Sequence, residues 1–382
     1  SFFAGAKALY AVECTRQGIV FADRISMTAG WQDNIRQFLT TYFASGPGPM
    51  IDHPRAYFAA AYALYIGLFG GHPLEAGRSY IMLPDGVLSL LPLEALVTTP
   101  AYTPDPGNWP FVLRLSQVSY AWSLSTLHLQ VLTRGNQAGF SGFFLSRTRS
   151  LPELQAVTAE EEALRGLIRE GSFYTDSLAT ATAFRQSLER SAIVHVASHA
   201  SGGASETLVG AGDASGASGD VEAPHVELFD RPFYPVQLAD LASAPTLVVL
   251  SACQTGNGRL VAGEGAQSIA RAFTAAGTNT VMSSWWNVND AVTAGLIKAF
   301  YRGLSDGRPA ATALRSAQLD WICDPGVQYL QKLPYYWAAL HCQGNPAPAM
   351  RPFSSGHLWY WLVAGVIVLF LVIMMARKIR LS

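Results

Sequence analysis

Two residues in this chain form a pair that could do nucleophilic chemistry. His199 follows the short apolar run Ile193–Ala197, and Cys253 follows a second such run, Leu247–Leu250. Both runs are rich in β-branched residues and too short for helices, so each reads as a buried strand. In an open α/β sheet, ligands bind outside the carboxyl ends of the strands. His199 and Cys253 therefore both stand where a site is expected, 54 positions apart. A thiol needs a base to become a thiolate at neutral pH, and a neighbouring imidazole supplies one. The chemistry would be attack of sulfur on a carbonyl. Taken singly, such a Cys is more often a packed core thiol and such a His a satisfied polar group. Their shared placement favours catalysis. His195, inside its run, and His341, beside Cys342, read as structural.

The elements that must position this pair alternate in type. Gly142–Leu145, Ile193–Ala197, Leu247–Leu250 and Thr280–Met282 read as strands. Ala159–Arg169, Ala266–Ala276 with Gly277 as its stop, Ala291–Gly303 and Ala310–Trp321 carry helical spacing. Strands alternating with helices predict a mostly parallel sheet covered on both faces. Upstream, Ala8–Val12 and Gly18–Ala22 predict a hairpin. Trp31–Phe43 and Arg55–Phe69 predict helices, Tyr80–Leu83 a strand, and Ser125–Thr133 closes this half.

Composition narrows the function classes. Half of the 382 residues are apolar and only 14% are charged, which excludes a charge-driven disordered chain. With 26 basic and 27 acidic residues the net charge is −1, without the basic face that nucleic acid requires. Four cysteines exclude a disulfide scaffold, and no CxxC or HExxH suggests a zinc site. No metal or cofactor is expected.

Residues 358–376, LWYWLVAGVIVLFLVIMMA, contain no charge and predict a single transmembrane helix contacting the lipid bilayer. Trp359, Tyr360 and Trp361 lie at one end and Arg377, Lys378 and Arg380 at the other, which favours a cytoplasmic basic tail (377–382) and an extracytoplasmic globular part. Residues 345–357 read as a linker. An oxidising compartment would permit a Cys323–Cys342 bridge, since these residues flank a loop between a helix end and a strand. The chain opens at Ser1 without an initiator Met, so it is expected to be a piece of a longer protein.

Several ordered motifs carry a family resemblance. They are Leu83-Pro84-Asp85-Gly86 with Leu91-Pro92-Leu93-Glu94-Ala95-Leu96, Val194-His195-Val196-Ala197-Ser198-His199, and Leu250-Ser251-Ala252-Cys253-Gln254-Thr255-Gly256. Gly263-Glu264-Gly265, Ser284-Trp285-Trp286-Asn287-Val288-Asn289-Asp290 and Pro334-Tyr335-Tyr336-Trp337-Ala338-Ala339 follow in order. Over residues 5–344 the chain resembles the CHAT family of caspase-like cysteine peptidases, relatives of caspases and separases.

The resemblance implies a caspase-like α/β fold, with an inactive N-terminal half (1–140) supporting an active half (141–344). It implies Cys253 as nucleophile and His199 as general base and later acid. The oxyanion would be held by backbone N–H groups of Cys253 and Ala200. Ala200 stands where the family usually has Gly, so its backbone must be open to non-Gly residues. Caspase relatives read the residue before the scissile bond in a pocket near the Cys. The candidate wall is Ser284, Trp285, Trp286, Asp290 and Glu264, whose carboxylates would favour Arg or Lys. Asp290 also fits as the cap of the following helix, and Glu264 as a partner of a helix N-terminus. Gly202–Asp220 reads as a gating loop or a surface insertion.

The expected function is a membrane-anchored cysteine endopeptidase acting on a protein or peptide substrate, switched on by an N-terminal regulatory region or a sensor protein. The alternative is a catalytically weak scaffold or receptor module that binds partners at the membrane.

Overall fold

The computed structural model describes residues 1–345 except Ala6, Arg134, 148–154, 202–222, 252–258, 262–264 and 287–289. The chain divides by contacts at Pro352, and every described residue belongs to the first unit.

The N-terminal region opens with an antiparallel sheet of β1 (Phe2–Ala4), β2 (Ala8–Thr15) and β3 (Gly18–Ser26). The predicted hairpin is present and longer than its apolar core. Next come α1 (Trp31–Leu39), α2 (Gly48–Asp52) and α3 (Pro54–Phe69). The chain beyond α1 continues through Thr40–Ala44 in π-helical geometry, so the helical spacing of Trp31–Phe43 is realised in two forms. This brings Phe38, Tyr42 and Phe43 against Tyr57 of α3 at ring separations of 5.6, 5.1 and 6.2 Å. Strand β4 (Ser79–Met82), α4 (Val112–Leu115), β5 (Gln117–Tyr120) and α5 (Leu124–Leu132) complete this part.

The second part holds β6 (Phe140–Phe144), α6 (Gln155–Leu167), β7 (Ser172–Thr175), α7 (Ala181–Arg190) and β8 (Ile193–Ala197). Two short strands, β9 (Ala200–Ser201) and β10 (His225–Val226), pair with each other. They precede β11 (Leu247–Leu250), β12 (Arg259–Val261), β13 (Gly265–Gln267) and α8 (Ile269–Ala275). The chain continues through β14 (Thr280–Ser284), α9 (Asp290–Ser305), α10 (Ala310–Cys323), α11 (Pro334–Trp337) and β15 (Leu340–Gly344).

Eight strands form one sheet in the order β4-β5-β15-β14-β11-β8-β6-β7. Its pairings are parallel except β14 with β15. The sheet is thus two parallel blocks of opposite direction, joined at that one antiparallel seam. Within the block β6, β7, β8, β11 and β14, the spatial order is second-first-third-fourth-fifth by sequence. The chain reverses its direction of winding between β6 and β8, and such a switch point leaves a crevice at the carboxyl ends of the strands.

Helices cover both faces. On one, Phe184 and Leu188 of α7 and Ile269 and Phe273 of α8 pack on Phe143, Val194, Val196, Val248, Leu250 and Val281. Full burial of each such side chain contributes roughly 1.5–3 kcal/mol relative to exposure. On the other face α6 and α9 lie together, and Tyr301 of α9 packs on Phe140 and His195.

Local chemistry sets the helix ends. Thr180 accepts a hydrogen bond from the Ala183 N–H at the start of α7. Helix α8 begins later than its apolar spacing suggested. Ser268 caps it by accepting from the Arg271 N–H, while Gly265–Gln267 pairs with Arg259–Val261 instead. It stops as expected at Gly277 (φ 101), where the Thr278 N–H bonds back to the Phe273 carbonyl.

Two expectations are corrected. Among the described residues no helix is long and apolar enough to cross a membrane, so a single-pass membrane localisation is not supported. The longest described helices, α3 and α9, have 16 residues, short of the ~20 that a bilayer requires. The apolar segment 358–376, the linker before it and the basic tail lie outside the described residues. The Cys323–Cys342 bridge is absent: both thiols are free, Cys323 exposed at the end of α10 and Cys342 buried in β15.

Candidate active site

Strands β8 and β11 are adjacent and parallel, with Val196 paired to Leu250. His199 stands three residues beyond Val196, and Cys253 three beyond Leu250. The Ser251 N–H extends the ladder by donating to the Val196 carbonyl at 2.8 Å. The two segments therefore leave the same edge of the sheet from neighbouring strands, beside the switch point. Cys253 itself lies outside the described residues.

His199 is half-buried, and its carbonyl is well held. It accepts from the Glu227 N–H at 3.0 Å, and the Ser198 hydroxyl lies 2.7 Å from it. The same hydroxyl is 2.9 Å from the Glu227 carbonyl. His225 sits beside this bond, with Nε2 3.0 Å from Glu227 Oε1 and Nδ1 2.9 Å from the Ala223 carbonyl.

The β9–β10 register tells where the Ala200 amide points. Ala200 pairs with Val226, flanked by the Glu227-to-His199 bond. In an antiparallel ladder, hydrogen-bonded and non-hydrogen-bonded pairs alternate. Ala200 occupies a non-hydrogen-bonded pair, so its N–H is directed away from β10. Its opposite number behaves alike, the Val226 N–H turning outward to the Phe233 carbonyl at 3.0 Å. Among the described residues only Asp176 is a non-Gly residue at positive φ. Ala200 thus holds a backbone conformation that any residue adopts, despite standing where glycine was expected.

Ser284 ends β14, the strand on the far side of β11, and Trp285 and Trp286 follow it. All three are buried. Trp285 stacks on His341 at 3.7 Å, and Trp286 lies 4.5 Å from the Phe43 ring while its indole N–H donates to the Tyr335 carbonyl. Both indoles are thus engaged with the N- and C-terminal flanks of the sheet. Asp290 is the first residue of α9. Glu264 and the Gly202–Asp220 loop lie outside the described residues.

A buried polar group next to the site had not been singled out from the sequence. Glu160 of α6 is buried, with Oε2 accepting from the Ser251 hydroxyl at 2.8 Å. Its Oε1 lies 3.0 Å from His195 Nε2, close but not aligned as a hydrogen bond. His195 Nδ1 is 3.1 Å from the Tyr301 hydroxyl. The sequence did carry a signal: Val157, Glu160, Leu164 and Ile168 recur at helical spacing and all are buried, so a carboxylate occupies the apolar stripe of α6.

A second buried carboxyl lies in the N-terminal region, within the Leu91–Leu96 motif. Burial pushes the Glu94 carboxyl up to about 7, while the Tyr120 hydroxyl bonded to it pulls the other way. Burial and the Glu94 charge in turn hold the Tyr120 phenol well above its ordinary value. His341 is pushed down to about 3 by burial, so it is a neutral imidazole in the folded protein. Among the described residues no group of three or more His, Cys, Asp or Glu side chains could hold a metal ion.

Comparison with known proteins places these features. A curated relative, tetratricopeptide repeat protein 28 of Mus musculus, is 40% identical over 80 residues, 21% of this chain and 3% of that protein. The chain therefore corresponds to a small fraction of that relative's length. Among solved structures, the Saccharomyces cerevisiae separase–securin complex superposes with a TM-score of 0.43 at 14% identity, over 67% of this chain and 14% of that one. The complex of the Porphyromonas gingivalis RgpB pro- and mature domains gives 0.46 at 10% identity, over 84% and 76%. Likenesses of this size carry no inference about activity. The CHAT domain model matches residues 64–345, leaving β1–β3, α1, α2 and the start of α3 outside although the motif resemblance extends from residue 5. That match spans well over half of the chain, and the chain belongs to the CHAT domain family.

Proposed function

We propose that this protein is a cysteine endopeptidase in which Cys253 is the nucleophile and His199 the general base. The observation that carries the reading is the parallel register of Val196 with Leu250, from which the two residues are equally spaced in sequence. His199 takes the Cys253 thiol proton, and the thiolate adds to the scissile carbonyl carbon. The resulting oxyanion is held by backbone N–H groups of Ala200 and Cys253. His199 then gives its proton to the leaving amine as the C–N bond breaks. Water, deprotonated by His199, releases the acyl group and restores the thiol.

The substrate is a protein or peptide. Cleavage after Arg or Lys is the preference this reading carries, through Glu264 and Asp290; a peptide library favouring Asp or large apolar residues would remove it. Control by a regulatory region or sensor partner is part of the proposal, and the repeat array in the mouse relative's name makes such an array the first partner to test.

The test is labelling by a thiol-directed activity probe together with peptide hydrolysis, in wild type, Cys253→Ala and His199→Ala. Labelling and turnover that vanish in both variants, with folding retained, support the reading. A folded wild type that neither labels nor cleaves, with or without its partner, points to a binding scaffold.

A further inference from the structure

We propose that Glu160, held by His195 and Tyr301, is a positioning residue that fixes where the chain leaves β11. The inference rests on the peptidase reading only for its catalytic consequence. Four side chains from four elements meet in a row: Tyr301 of α9, His195 of β8, Glu160 of α6, and Ser251 immediately after β11. Only Ser251 is not fully buried.

The protonation pattern follows from what each group can do. A carboxylate only accepts, and it faces His195 Nε2, so Nε2 carries the ring proton. His195 Nδ1 then accepts from the Tyr301 hydroxyl. Tyr301 keeps that proton, because burial and the nearby Glu160 charge hold its phenol well above the ordinary value. At the other end the Ser251 hydroxyl donates to Glu160 Oε2. The row is hydrogen-bonded at its two ends, with the 3.0 Å Glu160–His195 contact between them close but not aligned as a hydrogen bond.

A buried carboxylate is costly unless it has close polar partners. Glu160 has two, His195 in β8 and Ser251 just after β11. Ser251 is thereby tied through a side chain to the element carrying His199, in addition to its backbone bond to Val196. Ser251 is two residues before Cys253 in the chain. The row therefore holds Ser251, two residues ahead of the proposed nucleophile in sequence, against the strand that leads to His199. His195 is not simply a core histidine: it orients the carboxylate that does the holding.

The test uses Ser251→Ala, Glu160→Ala and Glu160→Gln, with Ser251→Thr as the conservative rescue that keeps the hydroxyl. The readouts are hydrogen exchange over residues 247–256, the iodoacetamide alkylation rate of Cys253, and the division of any peptidase effect between kcat and KM. Ser251→Ala and Glu160→Ala are expected to speed exchange and slow alkylation about tenfold, the loss due to one hydrogen bond to a charged group. Peptide turnover should fall in kcat with KM within about twofold, and Ser251→Thr should recover both. Should Glu160→Ala fail to fold, Ser251→Ala and Glu160→Gln decide alone. Exchange and alkylation unchanged in folded Ser251→Ala would overturn the proposal. Altered exchange and alkylation in a protein whose wild type cleaves no peptide would uphold the positioning role and defeat the peptidase reading instead.

Discussion

Val196 and Leu250 are register partners on adjacent parallel strands, and each stands three residues ahead of a residue able to do covalent chemistry. Parallel neighbours emerge at the same sheet edge, and this equal sequence spacing from a paired position is what the proposed pairing of His199 with Cys253 rests on. The sequence contains seven other histidines among its eight. His195 and His341, the two nearest in motif terms, are buried and bonded within the core.

A dyad acts as a unit, so its losses should not add. Cys253→Ala and His199→Ala are each expected to lower kcat/KM at least about 10³-fold, with the double variant no worse than the poorer single one. Losses that multiply in the double variant, measured on one peptide substrate, would show that the two residues act independently.

How much of this was readable from the chain depends on how local the cause is. Ile193–Ala197 and Leu247–Leu250 were legible to the residue, because strands buried on both faces need an unbroken apolar run. The two-residue strands β9 and β10 were not, since their pairing joins positions more than twenty residues apart and nothing in Ala200–Ser201 or His225–Val226 announces it. The start of α8 was misplaced because apolar spacing does not register the Ser268 cap. Of the candidate site, the placement of His199 just beyond β8 was legible from the strand end, while Cys253 lies outside the described residues. The role of Glu160 was hidden because a single acidic residue within a helical pattern looks like an exposed one until the facing helix and strand are known. The membrane expectation came from the apolar run with its flanking aromatic and basic residues, and no described helix supports it.

Glu94 makes stability depend on pH with a definite sign. Its carboxyl is raised from 4.5 to about 7, so between those values the folded state binds more protons than the unfolded state. Stability from this group is full below the unfolded value and lost as pH rises through the folded one. Glu94→Gln removes the effect while still offering an acceptor to Tyr120. Its melting temperature should match wild type near about pH 5 and exceed it near about pH 8, by up to ~3 kcal/mol of stability. His341 contributes the opposite slope, since its lowered value costs stability as pH falls through the range from 6.5 to about 3; it is common to both proteins and cancels in the comparison. Parallel melting curves for the two proteins between about pH 5 and pH 8 would show that burial does not raise the Glu94 carboxyl.

Asp176 is the one described non-Gly residue at positive φ (43°). It follows β7 at the same sheet edge as His199 follows β8. Its Oδ1 accepts from the Ser146 and Arg147 N–H groups at 3.0 and 3.3 Å and lies 3.1 Å from the Ser146 hydroxyl. Asp and Asn tolerate this backbone region better than other L residues. Asp176→Ala should cost about 2–3 kcal/mol, from the unpaired amides and the strained φ together. Asp176→Asn should keep most of the stability. Denaturant unfolding that finds the two variants equal would locate the contribution in charge and not in conformation.

The Ala200 amide can be tested without touching any side chain. Its N–H lies outside the β9–β10 ladder, because Ala200 and Val226 form a non-hydrogen-bonded pair. Ala200→Pro removes this donor and no ladder bond, and proline's fixed φ is negative, as the residue's own is. An oxyanion-hole donor acts only as the tetrahedral intermediate forms, so its loss should appear in turnover and not in the resting thiol. Ala200→Pro is expected to lower kcat about 10²–10³-fold and to leave alkylation of Cys253 within about twofold, since thiolate formation needs His199 alone. The alkylation arm also detects any shift of His199, whose own backbone a following proline restrains. Ala200→Gly, which keeps the N–H, should retain near-wild-type turnover. A proline variant that turns over normally would remove Ala200 from the oxyanion hole.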